Sequence, residues 1–205
     1  MKRPKKSLGQ NFLIEKNIIK KILGLTNLSG KNIVEIGPGK GALTDEIIKL
    51  KPKSIILIEK DYELSKYLNS KYFSLKKVKV INADILKFNL NDINKDKISI
   101  IGNLPYNISS QILVKLLKYK SLKHKFNNLI FMFQKELGER IIGRFPSKHY
   151  GRLSIISNYK LRIIKKFLVS ANCFFPKPKV KSMVIHFKIF ENNTYKINNI
   201  SNLEK

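Results

Sequence analysis

The residues with the clearest chemical meaning are the consecutive Asn103, Leu104, Pro105 and Tyr106, which follow a short apolar run. The side-chain oxygen of Asn103 and a nearby backbone carbonyl could accept both N–H bonds of an amine and favour a tetrahedral nitrogen. Pro105 has no N–H to donate and stiffens the turn. Tyr106 offers an aromatic face to a base taken out of its stack. The tetrapeptide indicates a site for the exocyclic amine of a nucleobase; a proline turn beside a core tyrosine is the alternative.

A glycine-rich loop indicates a second site. Gly37, Gly39 and Gly41 alternate directly after the apolar run Asn32–Ile36, and glycine lets the backbone approach a ligand closely. In an open α/β sheet, ligands bind beside such a turn, at the carboxyl ends of the strands. The loop also satisfies a loose dinucleotide pattern. A nicotinamide dehydrogenase and a tight turn without a ligand therefore both remain alternatives at this point.

Two acidic residues follow the next apolar runs. Glu59 ends the run Ser54–Glu59, about 20 residues after the glycines, where a ribose-binding carboxylate is found in dinucleotide sites. Asp84 follows the run 78–81 and could accept a hydrogen bond from an adenine amino group. The alternatives are a solvated strand end for Glu59 and a turn cap for Asp84.

These candidates are positioned by short apolar runs that alternate with helical segments, a pattern that predicts βαβ units and a mostly parallel sheet. The predicted strands are 32–36, 54–59, 78–81, 98–101, 129–133, 162–169 and 181–190, and we expect the last of these to end the sheet. The predicted helices are 11–23, 42–50, 62–72, 108–118, 135–142 and 151–159.

Length and charge indicate the domain organisation and the type of binding partner. The chain has 205 residues, enough for one domain, and we expect a flexible basic arm at 1–10, a single domain at 11–190 and a polar tail at 191–205. Lys and Arg number 41 against 14 Asp and Glu, which gives a net charge of +27 and makes nucleic acid the default partner. Lysine makes up 36 of the 41, which indicates that codon bias contributes to the charge.

Other compositional features exclude several classes of protein. The single cysteine, Cys173, excludes an internal disulfide and a cysteine-based zinc site, and the three histidines lack the spacing of metal ligands. The basic N-terminus is not followed by the apolar core of a signal peptide. No apolar stretch is long enough to span a bilayer. We therefore expect a cytoplasmic protein without a metal or a membrane segment.

Eight stretches in family order together carry a resemblance to a known family: 6–13, 34–39, Glu59, 82–86, 103–109, 133–136, 150–154 and 175–180. On these residues the chain resembles the ribosomal RNA adenine N6-dimethyltransferases, and within them the bacterial small-subunit (16S) dimethyladenosine transferases. The resemblance implies a Rossmann-like class I methyltransferase with a seven-stranded, mostly parallel α/β sheet whose last strand is antiparallel. It also implies S-adenosylmethionine as the methyl donor.

The resemblance further implies a role for each residue that binds the donor. Asn11 and Leu13 would close over it, and the loop of Gly37 and Gly39 would pass its methionine part. Glu59 would hold the ribose hydroxyls. Asp84 would accept from the adenine amine, and Asn103 would contact donor and target together.

For the target, the resemblance implies that Asn103, Leu104 and Pro105 hold the amine while Tyr106 stacks on a flipped adenine. Phe174 matches the second stacking aromatic of the family, and Phe175 is the alternative for that role; either could be a core residue.

The implied activity is the dimethylation of two adjacent adenosines in small-subunit ribosomal RNA, by a monomer acting on a pre-ribosomal particle. The alternatives are a large-subunit methyltransferase of the macrolide-resistance type and a non-catalytic RNA-binding assembly factor. Leu104 and the stretch 133–136 favour the small subunit. Family members usually carry a helical domain after the last strand, and we expect that domain to be absent from this chain.

Overall fold

The computed structural model describes residues 5, 9–120 and 122–190. Most of the expected basic arm and all of the expected tail at 191–205 lie outside these residues. In chain order the strands are β1 (Phe12–Leu13), β2 (Asn32–Ile36), β3 (Ser54–Glu59), β4 (Val78–Asn82), β5 (Ile98–Asn103), β6 (Phe126–Gln134), β7 (Leu161–Val169), β8 (Phe174–Phe175) and β9 (Ser182–Ile189). The α-helices are α1 (Lys16–Leu23), α2 (Ala42–Lys49), α3 (Tyr62–Lys71), α4 (Ser109–Leu117), α5 (Leu122–Lys125), α6 (Lys135–Ile142) and α7 (Arg152–Lys160).

Seven strands form one sheet in the order β4-β3-β2-β5-β6-β9-β7. Strands β2 to β6 are mutually parallel, whereas β9 runs antiparallel to both of its neighbours. The central strands are apolar almost throughout because helices cover both faces of the sheet. The predicted fold class, including an antiparallel last strand, is confirmed.

The prediction that the strand near 181–190 ends the sheet is wrong. Strand β9 lies between β6 and β7, and β7 is the edge strand. The burial of the two strands explains this order: β9 is buried from Ser182 to Phe187, whereas Arg162, Lys165 and Lys166 leave much of β7 exposed. A strand with so many charged residues is suited to an edge, where one side faces water.

The N-terminal segment also differs from its prediction. Instead of one helix over 11–23, Phe12 and Leu13 form β1, and α1 begins only at Lys16. Strand β1 pairs antiparallel with β8, with Leu13 opposite Phe174, and the Ile14 N–H donates to the Cys173 carbonyl (2.9 Å). This small second sheet joins the two ends of the described chain.

Helices cover the two faces of the sheet and bury two apolar clusters. On one face α2 and α3 contribute the fully buried Ile47 and Leu68. On the other face α4 and α6 contribute Leu116 and Ile141. Burial of each such side chain contributes about 1.5–3 kcal/mol. This packing fixes the strands and leaves their carboxyl ends as the edge where loops can form a site.

Three partly buried lysines donate hydrogen bonds to backbone carbonyls. The Lys115 Nζ donates to the carbonyls of Leu86 (2.8 Å) and Phe88 (2.7 Å). Lys125 and Lys160 likewise donate to backbone carbonyls, those of Ile93 and Leu117. Burial lowers the pKa of the Lys115 and Lys160 amines. Lys115 and Lys125 thus tie loops to helices, and Lys160 ties α7 to the end of α4.

Replacing Lys115 with methionine should destabilise the fold because two loop carbonyls lose their donor. We expect the free energy of unfolding to fall by about 1–3 kcal/mol, measured by urea denaturation. Lys66→Met removes an exposed lysine from α3 and should change the value by less than about 0.5 kcal/mol. Equal effects of the two substitutions would contradict the structural role of Lys115.

Candidate active site

A cavity of about 440 Å³ lies at the carboxyl ends of β2, β3 and β5, beside the loops that follow them. This volume is in the range of small-molecule sites. Its lining brings together every residue predicted for the site except Phe174: Asn11, Leu13, Gly37, Gly39, Glu59, Asp84, Asn103, Leu104, Pro105 and Tyr106. Residues from distant parts of the sequence therefore face one space.

The glycine loop forms one wall of the cavity. Gly37 and Gly39 have φ values of +65° and +59°, a region that side chains rarely adopt. A Cβ at position 39 would lie 2.8 Å from the Phe12 ring, so only glycine lets β1 lie this close to the loop. The chain then turns into α2, whose N-terminus faces the same end of the sheet.

Glu59 ends β3 with its carboxylate at the cavity. Its Oε2 accepts from the Gly39 N–H (3.1 Å), and its Oε1 accepts from the Asp61 N–H (2.9 Å). Burial raises the pKa of Glu59, and these backbone hydrogen bonds partly oppose the rise. Glu59 thus holds the glycine loop against the end of the sheet while lining the cavity.

Asp84 lines the cavity and also caps a turn. Its Oδ1 accepts from the Leu86 N–H (2.9 Å), and its Oδ2 pairs with the Lys60 Nζ (2.9 Å). The Lys60 amine holds the pKa of Asp84 below its ordinary value. The cap suggested as the alternative role is present, and it fixes the carboxylate at the cavity wall.

The N-terminal segment is fastened to the same edge by Asp61. This carboxylate caps α3 through the N–H groups of Glu63 and Leu64, pairs with the Lys5 amine (2.9 Å), and accepts from the Gln10 side chain (3.2 Å). Burial opposes the ionised form, but these partners still lower the pKa of Asp61. The sequence did not reveal this role, because the partners are about 50 residues apart.

Asn103, at the end of β5, is held through its amide nitrogen. The Nδ2 donates to the Asn11 carbonyl (2.7 Å), and Asn11 in turn donates from its side chain to Gly9 (3.3 Å). The oxygen Oδ1 is then left as the acceptor at the cavity. In the turn that follows, the Pro105 carbonyl already accepts from the Ile108 N–H (3.1 Å). The Leu104 carbonyl, next to Asn103, is therefore the better candidate for the backbone acceptor.

Tyr106 is held by a residue far along the chain. Its hydroxyl lies 2.6 Å from the Ser182 Oγ, at the start of β9, and Ser182 is fully buried. Burial raises the pKa of Tyr106, so the hydroxyl stays neutral. The half-buried ring borders the cavity. Nothing in the sequence pointed to Ser182, because its role depends on the contact between β9 and the turn after β5.

Phe174 and Phe175 lie on opposite sides of β8. Phe174 is only 3% exposed and packs with Leu13 in a buried cluster, whereas Phe175 is 58% exposed opposite Phe12. Neither ring lines the cavity described above. The stacking role assigned to Phe174 therefore stays a prediction. Both rings lie next to β1, which lines the cavity, because β8 pairs with β1.

Glu35 is a further residue at the cavity to which the sequence gave no role. It is 1% exposed within β2, and its Oε2 accepts from the Thr44 hydroxyl (2.7 Å). Burial raises the pKa of Glu35 to about 8. A carboxyl within the otherwise apolar run Asn32–Ile36 was the available signal. Its neutral form links β2 to α2.

Residues 5, 9–120 and 122–190 hold no cluster of three or more His, Cys, Asp or Glu side chains that could bind a metal ion. None of their helices is long and apolar enough to cross a membrane.

Comparison with known proteins gives one consistent family. A family model described as "Ribosomal RNA adenine dimethylase" matches residues 1–205. "Ribosomal RNA small subunit methyltransferase A" of Pelagibacter ubique is 43% identical over 203 residues, which are 99% of this chain and 76% of the relative.

Solved structures agree on the fold. A dimethyladenosine transferase from Plasmodium falciparum has a TM-score of 0.77 at 26% identity, over 87% of this chain and 63% of that chain. The 23S rRNA methyltransferase ErmE has a TM-score of 0.76 at 23% identity, over 94% and 75% of the two chains. At that identity the second likeness concerns the fold alone.

Glu35→Gln should change how stability depends on pH. Because the folded pKa of Glu35 lies above its unfolded value, the protein loses stability as pH rises from about 4.5 to about 8. Glutamine keeps an oxygen for Thr44 but does not titrate. Across this range, we expect the free energy of unfolding of the variant to rise relative to that of the wild type by on the order of 3–5 kcal/mol. Urea denaturation at several pH values measures it. If the two proteins show parallel pH profiles, the raised pKa of Glu35 is contradicted.

Proposed function

Since this chain belongs to the ribosomal RNA adenine dimethylase family, we propose that it dimethylates two adjacent adenosines in small-subunit ribosomal RNA. It acts as a cytoplasmic monomer on a pre-ribosomal particle, and residues 11–190 are its catalytic unit. The observation that carries the proposal is the Asn103 amide, which is fixed by Asn11 with its oxygen left as an acceptor at the cavity beside Tyr106.

The methyl donor is S-adenosylmethionine, which supplies an electrophilic methyl group on a positively charged sulfur. The cavity suits it: Gly37 and Gly39 line the space without side chains, and the Glu59 carboxylate lines it from the end of β3. Glu59 would hold the ribose hydroxyls and Asp84 the adenine amine. Asn11 and Leu13 would cover the donor, with Gly37 along its methionine part.

The target nitrogen must be made nucleophilic, because its lone pair is delocalised into the adenine ring. The Asn103 Oδ1 and the Leu104 carbonyl would accept its two N–H bonds and favour a tetrahedral nitrogen whose lone pair points at the methyl group. These groups are already oriented, so little reorganisation is needed in the transition state. The N–H proton is acidic after methyl transfer and needs no titrating base.

The flipped base needs a surface to stack on, and Tyr106 supplies it at the cavity edge. Stacking on an aromatic side chain contributes about 1–3 kcal/mol per base. The Ser182 hydroxyl holds the far end of the tyrosine ring and so sets its plane. We propose that Ser182 positions Tyr106 without contacting the RNA itself.

Asn103→Ala should slow methyl transfer at saturating RNA by at least about 100-fold, because an oriented group that acts on the reacting atom is lost. Transfer of labelled methyl groups to immature small subunits measures this rate. RNA affinity, from filter binding, should change less than about threefold. Asn27→Ala, on the surface near Ser29, is the control and should behave as wild type. Unchanged methylation by Asn103→Ala would overturn the mechanism.

Ser182→Ala should raise the KM for RNA by about two- to tenfold, the effect of one lost hydrogen bond, with donor affinity unchanged. Tyr106→Phe removes the other partner of the same bond and should have the same effect. If Ser182 acts through Tyr106, the double variant will be no worse than either single one. Additive effects would show that Ser182 does not act through Tyr106.

A further inference from the structure

Arginine is unevenly placed in this chain. Only five of the 41 basic residues are arginine, yet four of the five fall within 23 consecutive positions: Arg140, Arg144, Arg152 and Arg162. The codon bias of this chain favours lysine at positions where a positive charge alone is enough. Arginine differs from lysine in its planar guanidinium, which stacks on rings and binds phosphate with two parallel hydrogen bonds. The cluster therefore indicates sites where that geometry is used.

Two of these arginines border a groove with exposed aromatic rings. The groove has a volume of about 670 Å³, and Arg144, Arg162, Phe145, Tyr150 and Phe190 line it. Phe145 is 81% exposed, and Tyr150 and Phe190 are each 43% exposed. The Phe145 and Tyr150 rings meet edge to face, with centroids 6.1 Å apart. Apolar residues that are exposed singly are normal, but a group of exposed rings is typical of a binding surface.

The charged residues that line the groove, Arg144 and Arg162, are both positive. Residues 126–190 contain 13 Lys and Arg but only two acidic residues, Glu136 and Glu139. Glu139 lies close to Lys135 (3.4 Å) and His149 (3.9 Å). Arg144 and Arg162 are exposed. A basic surface with exposed rings is complementary to single-stranded nucleic acid, which offers phosphates and unpaired bases together.

The groove lies at the opposite end of the sheet from the cavity. Strand β7 is parallel to β5, so Arg162, near the start of β7, lies at the amino end of the strands, whereas Asn103 lies at the carboxyl end of β5. Four residues along β9 and three strand spacings separate the two places, a distance of roughly 20 Å. A nucleotide in the groove cannot be the one being methylated.

We propose that this groove binds an unpaired nucleotide of the small-subunit RNA at a second point, remote from the target adenine. The base stacks on Phe145, and Arg144 and Arg162 contact the flanking phosphates. The inference rests on the proposed function, since it names a further contact with the same RNA. Two-point binding would fix the orientation of the particle relative to the cavity, because phosphate contacts position without reading sequence.

The test compares Phe145→Ala and Arg144→Ala with two matched controls. Phe73→Ala removes a ring that is 91% exposed at the end of α3, and Lys53→Ala removes an exposed charge next to β3. Affinity for immature small subunits is measured over a series of salt concentrations. Each groove variant should weaken binding at least about fivefold, whereas the controls should stay within about twofold.

The salt series separates the two contacts. Arg144→Ala should lower the slope of log affinity against log salt by about one, because one phosphate contact is lost. Phe145→Ala should leave the slope unchanged, and Phe145→Trp should restore affinity. The methylation rate at saturating RNA should match the wild type in all these variants, because the groove lies outside the cavity.

Groove variants that bind like the controls overturn the proposal. So does a groove variant that lowers the melting temperature without weakening RNA binding, because the groove residues would then serve the stability of the fold and not the RNA. These outcomes are distinct from failure of the proposed function, in which the wild-type protein itself would not methylate immature subunits.

Discussion

The hydrogen bond from Asn103 to the Asn11 carbonyl is the contact on which the site depends. It joins the end of a central strand to the N-terminal segment, which Asp61 and β8 hold from two other sides. The bond also decides which end of the amide faces the cavity. In the proposed mechanism this one backbone carbonyl would both close the wall over the donor and orient the acceptor for the target amine, which couples the two halves of the site.

Most of the sheet could be predicted because its strands are buried on both faces. The apolar runs at Asn32–Ile36 and Ser54–Glu59 match their strands to the residue. The pairing of β1 with β8 could not be predicted, because two-residue strands have no measurable period and their partners lie about 160 residues apart. The position of β9 inside the sheet follows from burial, which alternation alone does not reveal.

The site followed the same division. That Gly37, Glu59 and Asn103 lie together could be predicted, because each motif comes directly after a strand and strand ends meet at one edge. The roles given to these residues stay predictions. Ser182 and Glu35 were missed because their roles depend on Tyr106 and Thr44, partners that only the folded chain brings near. Phe174 was assigned by likeness to a family pattern, while the structure buries it beside Leu13.

Both edge strands of the sheet carry exposed lysines, which affects how two copies of the protein can approach each other. An unpaired edge strand can template pairing with another chain. Here the edge strand β7 exposes Lys165 and Lys166, and the opposite edge strand β4 exposes Lys79. Two copies that approach edge to edge bring like charges together and must desolvate them before any ladder can form. The positive charge of these edge strands thus also disfavours edge-to-edge pairing between copies.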